Sequence, residues 1–248
     1  MQEAEYQRLA RIDREHWFYR GKRAIVRHWI ERFRPLTPDD LLVDAGMGTG
    51  AWLVEMSPRC RVTGLDHSEA SLAIARPQVE AAGGNVFQTS LDRTPLGSES
   101  ATVVTLLDVL EHLEDPAAAM SEMIRIARPG GLLVITVPAL QMLWSDWDET
   151  LGHKRRYNRR QLLTLCTRPE IELLHCGYFN TLALPAIALA RCWRKLFPPP
   201  SGSLRAEDRV PSRFLNEFLY KALVVPACLR WPRAPIGVSL LAVMRKRP

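Results

Sequence analysis

"LLVDAGMGTGAWL", residues 41–53, sets Gly46, Gly48 and Gly50 directly behind an apolar run. Leu41-Leu42-Val43 reads as a short buried strand, Asp44 closes it, and the glycines open a helix. Glycine adopts backbone angles barred to other residues and lets the main chain approach a ligand closely. A strand, a glycine turn and a helix N-terminus make a site for a nucleotide-like cofactor. The spacing is G-x-G-x-G, whereas dinucleotide folds use G-x-G-x-x-G. Asp44 beside the turn would oppose a pyrophosphate and suits a ligand carrying a cation or hydroxyls. Asp66 ends "RVTGLDHS" (61–68), about 20 residues on, where a ribose-binding acid belongs. A carboxylate accepts two hydrogen bonds from a 2′,3′-diol.

Outward from this stretch, strands alternate with helices. Strands are expected at 41–44, 61–68, 85–91, from 101, at 132–140, at 170–179 and at 237–246. "LLDVLEHLEDP" is expected to run from the fourth strand into a short helix, and "AAAMSEMIRIARPGG" to be a helix ending in a Pro-Gly-Gly turn. This alternation predicts an α/β fold: a Rossmann-like, seven-stranded, mostly parallel sheet covered on both faces, six strands parallel and the last antiparallel. Residues 1–40 form an N-terminal helical cap that Gly21 would break into two helices, 41–180 the core, 181–234 a helical insertion, and 235–248 the final strand. "PPPSGSLRAEDRVPS" reads as a surface linker inside the insertion.

The 248 residues are 47% hydrophobic and 24% charged, the composition of a globular protein. The N-terminus is charged throughout and reads as lacking a signal peptide. The apolar run "LALPAIALA" is far short of the roughly 20 residues that span a bilayer. Five cysteines without a C-x-x-C pair read as free thiols of a reducing cytosol, with no metal site implied. The net charge of +6 is uneven: residues 1–150 hold 15 Lys+Arg against 22 Asp+Glu, and residues 151–248 hold 18 against 5. The basic C-terminal part is either a solvated face or a partner site for anions, be it a phosphorylated substrate, a membrane surface or nucleic acid.

The stretches "VDAGMGTG", "VTGLDHS", "LLDVLEHLEDP" and "RPGGLLVITVP", in this order and spacing, resemble the class I S-adenosylmethionine-dependent methyltransferases over residues 41–140. The resemblance implies S-adenosyl-L-methionine as cofactor. It implies that the segment Asp44, Ala45, Gly46, Gly48, Gly50 passes the methionine portion. Asp66 would hold the ribose, His67 would lie against the adenine, and Ser90 and Leu91 would flank it. Asp108 and Val109 would border cofactor and substrate. Members often carry an acid at the Ser90 position, which Asp92 would replace here, and a Phe-Asp pair where this chain has Ala101-Thr102. The flanks "EHWFYRGKR" and "WSDWDETLGHKRRYNRRQL" resemble a bacterial subgroup in which such segments roof the substrate pocket. Trp17, Phe18 and Tyr19 then cap the cofactor or pack on the core.

Methyl transfer needs in-line alignment and, for a neutral hydroxyl, a base. His153, His112 and Glu111 are the candidate bases, with Tyr157 as a further catalytic candidate. His153, beside Lys154, Arg155 and Arg156, is expected to stay neutral, or else to pin Asp146 or Asp148. Arg155-Arg156 either grips an anionic group of the acceptor or is surface charge. The expected reaction is methylation, by preference of oxygen, of a small-molecule or lipid-like, anionic acceptor. A nucleic-acid (RNA) methyltransferase and a non-catalytic S-adenosylmethionine-binding protein are the rivals. Against the first, no Asn/Asp-Pro-Pro-Tyr/Phe motif follows the fourth strand. Against the second stand the intact Asp44, glycines and Asp66. A cytoplasmic monomer or homodimer is expected. Residues 181–234 interleave Leu182, Leu184, Ile187, Leu189, Trp193, Phe197, Phe214, Leu215, Phe218, Leu219, Leu223, Val224 and Trp231 with Arg191, Arg194, Lys195, Arg213, Lys221, Arg230 and Arg233. Such a segment either meets an anionic membrane surface, lids a lipidic acceptor, or packs on the sheet or a second subunit.

Overall fold

A computed structural model describes residues 10–197, 209–229 and 235–248. Its seven strands are β1 (Leu41–Ala45), β2 (Arg61–Asp66), β3 (Asn85–Gln88), β4 (Ala101–Leu107), β5 (Ala127–Pro138), β6 (Ile171–Phe179) and β7 (Ser239–Lys246). They lie in the order β3-β2-β1-β4-β5-β7-β6. β7 runs antiparallel to both β5 and β6, so the other six strands share one direction. The strand order reverses between β1 and β4, and the crevice at the carboxyl ends of those strands is where an open α/β sheet binds its ligand. β1, β4 and β5 are buried on both faces, which explains their continuous apolar runs.

The helices are α1 (residues 10–15), α2 (Trp17–Phe33), α3 (Ala51–Met56), α4 (Glu69–Ala81), α5 (Pro116–Ile126), α6 (Asp146–Leu151), α7 (Arg159–Cys166), α8 (Leu184–Leu196) and α9 (Arg213–Cys228). The cap breaks at His16, whose side chain accepts from the Phe18 N–H, and not at Gly21. Gly21 lies inside α2 because α9 crosses there: a Cβ at this position would stand 2.5 Å from Leu223 Cδ2. Arg20 pairs with Glu217 at 2.5 Å, and Asn216 accepts from the Trp17 N–H at 2.8 Å. The cap and the insertion thus form one layer over the sheet. Residues 198–208 of the expected linker, with Arg230, Trp231 and Arg233, lie outside the described residues.

Three local expectations are corrected. The third strand stops at Gln88, and Thr89 N–H turns back to Asp66 O. Residues 108–115 are turns rather than helix, because the chain reverses at Asp108 with φ +58° and α5 begins only at Pro116, capped by Asp115. The segment 127–131 belongs to β5, since Ala127 pairs with Ala101. The connection 141–158 is more ordered than its composition suggests, holding a 3-10 turn (Gln141–Leu143) and α6.

Asp40, 4% exposed, knots the start of β1 to its neighbours. It accepts from Thr37 N–H (2.9 Å), Thr102 Oγ1 (3.1 Å), Arg34 (3.0 Å) and Arg128 (2.9 Å). Thr102 therefore does structural work in place of the acid that the family often carries. Burial raises the Asp40 pKa, but the hydrogen bonds outweigh it and hold the group at about 2. A carboxyl whose pKa falls on folding contributes stability above its unfolded pKa of about 3.9, and that contribution vanishes as pH drops towards about 2. Asp40→Ala is expected to cost about 1–3 kcal/mol at neutral pH, because it removes the acceptor of the buried Thr102 hydroxyl, while the half-exposed Arg34 and Arg128 are re-solvated. Denaturant melts should show the deficit shrinking as pH falls from about 5 towards 2.

Candidate active site

A cavity of about 1510 Å³ opens at the carboxyl ends of β1, β2 and β4 and is roofed by α1, α2, α6, α8 and α9. That is more than one small ligand fills, so donor and acceptor fit together. Asp44, in β1, is buried and forms no ion pair with a lysine or arginine among the described residues; its carboxylate accepts from Thr105 Oγ1 at 2.6 Å. Burial raises its pKa to about 7, with Asp66 and Asp13 pushing the same way and Thr105 and Lys22 opposing. The glycine loop follows. Gly46 has φ +79°, and a Cβ there would stand 2.5 Å from Val109 Cγ2. At Gly48, φ +54°, a Cβ would meet nothing within 4 Å and would point into open space.

Asp66 closes the loop onto β2: Oδ2 accepts from Gly48 N–H at 3.0 Å and Oδ1 from Ser68 N–H at 2.9 Å. Each oxygen has a second lone-pair direction, so two hydroxyl donors are still accommodated. Asp108, at the turn after β4, pairs with the buried Lys22 at 2.7 Å and accepts from Thr136 Oγ1 at 2.9 Å. Burial works against its charge, but Lys22 and Thr136 prevail and the carboxyl sits below the usual range. Asp13 of α1 accepts from Thr49 Oγ1 and from Arg23 (2.7 Å), clamping the cap to the glycine loop.

The roof is organised by Asp148, fully buried in α6. It accepts from Arg156 Nε (2.7 Å) and Nη2 (3.0 Å) and from Ser145 N–H (3.0 Å), and it meets His153 Nδ1 at 2.9 Å. Burial would raise its pKa; His153 and Arg156 outweigh that and hold it far below the usual carboxylate range. A carboxylate only accepts, so in neutral His153 the proton sits on Nδ1 and the lone pair on Nε2. The rings of His153 and His112 meet edge-on at 4.7 Å. Desolvation and the neighbouring His153 lower the pKa of His112. Glu111 is fully buried, neither carboxylate oxygen has a hydrogen-bond partner, and burial raises its pKa well above the carboxylate range. Glu111, His112 and His153 each offer a ligand atom within 4.8 Å of the others, a donor set able to share a proton or a divalent cation.

Of the residues expected at the site, Trp17, Asp44, Gly46, Gly48, Asp66, His67, Leu91, Asp108, Val109, His112 and His153 line this cavity. Four do not. Ala45 is packed inside β1, and Gly50 caps α3 against Ala75 and Val79. Ser90 is exposed beyond the end of β3, as is Asp92. Tyr157 is in the core, its hydroxyl donating to Leu110 O at 3.1 Å, and is no catalytic group in this geometry. The Arg155-Arg156 pair splits: Arg156 lines the cavity bound to Asp148, whereas Arg155 reaches Glu114 O outside it. Arg191 and Arg194, for which membrane contact, a lid over the acceptor and packing were all open, line the cavity. The sequence did not single out Asp13, which belongs to no motif, or Lys22, although Lys22 lies inside the flank "EHWFYRGKR" and on the apolar side of α2, three residues before Ile25 and four before Val26.

Residues 43–135 match the methyltransferase domain family. A probable S-adenosylmethionine-dependent methyltransferase of Mycolicibacterium smegmatis is 36% identical over 140 residues, covering 54% of this chain and 52% of that protein. A ubiquinone biosynthesis O-methyltransferase of Pseudomonas fluorescens is 34% identical over 108 residues, 42% of this chain and 46% of that protein. The chain thus spans about half the length of these curated relatives. Among solved structures, a complex of a Haloferax volcanii methyltransferase with the Trm112 activator superposes with a TM-score of 0.65 at 18% identity, over 99% of this chain and 95% of that one, and shows the fold. With the glycine loop and its flanking acids in place, residues 43–135 match a methyltransferase domain, and the chain is similar to S-adenosylmethionine-dependent methyltransferases in sequence and fold.

Proposed function

We propose that this chain transfers a methyl group from S-adenosylmethionine to a hydroxyl oxygen of a small or lipid-like acceptor. The observation that carries the reading is the pairing, in one cavity, of a carboxylate-rich glycine loop with a carboxylate-oriented histidine. Asp66 takes the ribose diol, Gly46 and Gly48 leave room for the methionine portion, and Leu91 and His67 flank the base. The cationic sulfonium favours an end of the cavity lined by Asp13, Asp44, Asp66 and Asp108. His153 Nε2 takes the proton of the acceptor hydroxyl as its oxygen bonds to the methyl carbon and the sulfur leaves neutral. Trp144 and Trp147 line the acceptor end beside Arg191 and Arg194, which supports an acceptor with an apolar body and an anionic group. The O-methyltransferase relative supports oxygen as the acceptor atom. Methyl-labelled cofactor incubated with fractionated lipid extracts tests the reading; label in a base-stable ether is expected, and label only in nucleic acid would reject it.

Three substitutions separate binding from chemistry. Asp66→Ala is expected to weaken cofactor binding by about 1.5–3 kcal/mol in calorimetry, the scale of hydrogen bonds to a charged group. Gly48→Val should abolish cofactor binding, since its side chain enters the open space beside the loop and a φ of +54° strains a β-branched residue. His153→Ala is expected to lower kcat by about 10²–10⁴-fold. Cofactor affinity should change little, and a variant with near-normal turnover would reduce His153 to a prop for Asp148.

A further inference from the structure

Helices α8 and α9 are apolar on two sides. The inner side of α8 presents Ala186, Ile187, Ala190, Arg191 and Arg194 to the cavity, and α9 presents Leu219 to it. Positions 182, 189, 193 and 196 recur at helical spacing on the opposite side of α8. There Leu182 is 66% exposed, Leu189 72%, Trp193 65% and Leu196 73%. Phe197 continues this side and stacks at 4.4 Å on Trp193. α9 repeats the pattern with Phe214 (86%), Phe218 (61%) and Val225 (52%), while Asn216 and Leu223 are buried. A helix apolar all round belongs in an interior or against an apolar partner. Outside these two helices and their ends, the described residues expose few large apolar side chains, so this is a concentrated patch and not ordinary surface scatter.

Charge selects the occupant. Among the described residues of 181–229, Arg209, Arg213 and Lys221 are exposed, Arg191 and Arg194 turn into the cavity, and the one acid, Glu217, is neutralised by Arg20. Arg213 and Lys221 are exposed on α9 beside the phenylalanines. A second copy of the chain would bring the same positive charge to the same place. A surface of anionic lipid brings the opposite charge, and exposed Trp and Phe with basic neighbours are the composition of an interfacial helix. None of the helices is long and apolar enough, among the described residues, to cross a bilayer.

We infer that the outer sides of α8 and α9 dock the chain on an anionic bilayer, the two helices then lying between the lipid surface and the cavity that they wall. The inference goes beyond methyl transfer and is tested without cofactor, so that failure of either leaves the other standing. The full chain is floated with vesicles of phosphatidylcholine containing phosphatidylglycerol, and with vesicles of phosphatidylcholine alone. Leu189→Glu/Trp193→Glu alters only exposed side chains, and its thermal melt checks the fold. The expected result is flotation with the anionic vesicles only, weakened by added salt and reduced at least about tenfold in partition by the double substitution. Absence of flotation with anionic vesicles would overturn the inference. So would equal binding to both vesicle types, or a dimer in light scattering that the same double substitution dissolves.

Discussion

Everything in the site follows from an excess of carboxylates at the carboxyl edge of the sheet. Asp44, Asp66, Asp108 and Glu111 come from the ends of β1, β2 and β4, and Asp13 comes down from the cap. Lys22 and Arg23 of α2 are the cations that reach this end of the cavity among the described residues. Lys22 is committed to Asp108 and Arg23 to Asp13 and Glu55. Buried ion pairs such as Lys22–Asp108 cost desolvation on both sides, and losing one partner leaves an uncompensated charge. The pair therefore ties the position of α2 to the sheet. Asp44 is left with a hydroxyl as its hydrogen-bond donor and a pKa near 7. Such a group lowers its free energy when a cation arrives, and S-adenosylmethionine brings a sulfonium and an ammonium.

The proposed acceptor half depends on a second buried carboxylate. Asp148 draws His153, Arg156 and the start of α6 to one point, and Arg191 of α8 approaches it at 3.7 Å. One side chain thus fixes the tautomer of the proposed base and ties the roof helix α6 to the insertion. The two reactive halves meet at Asp108, Glu111 and His112, all within one turn after β4.

The sheet was legible because its strands are short apolar runs ended by glycine or acid, and parallel pairing buries both faces. The glycine loop and Asp66 were legible because their chemistry is local: a turn, a helix start and an acid at fixed spacing. The roles that depended on distant partners were not. Tyr157 looked catalytic beside arginines but satisfies its hydroxyl on Leu110 O in the core. Gly21 looked like a helix break, yet it exists for the crossing of α9 some 200 residues later. His153 was read either as a neutral base among basic neighbours or as a partner of Asp146 or Asp148, and the α6 turn does bring it to Asp148. For Arg191 and Arg194 the sequence left lipid face, lid and packing open, because helical phase in a segment apolar on both sides does not say which side is inner.

The measurement that bears most directly on this account is calorimetry of S-adenosylmethionine binding to the full chain between about pH 6 and pH 8, in buffers of differing ionisation enthalpy. Asp44, with a pKa of about 7 in the free chain, must ionise to face the cation. The account predicts binding that releases a proton below pH 7 and weakens by up to about tenfold per pH unit there, with no proton release near pH 8. Affinity independent of pH over this range, with no proton released, would contradict it.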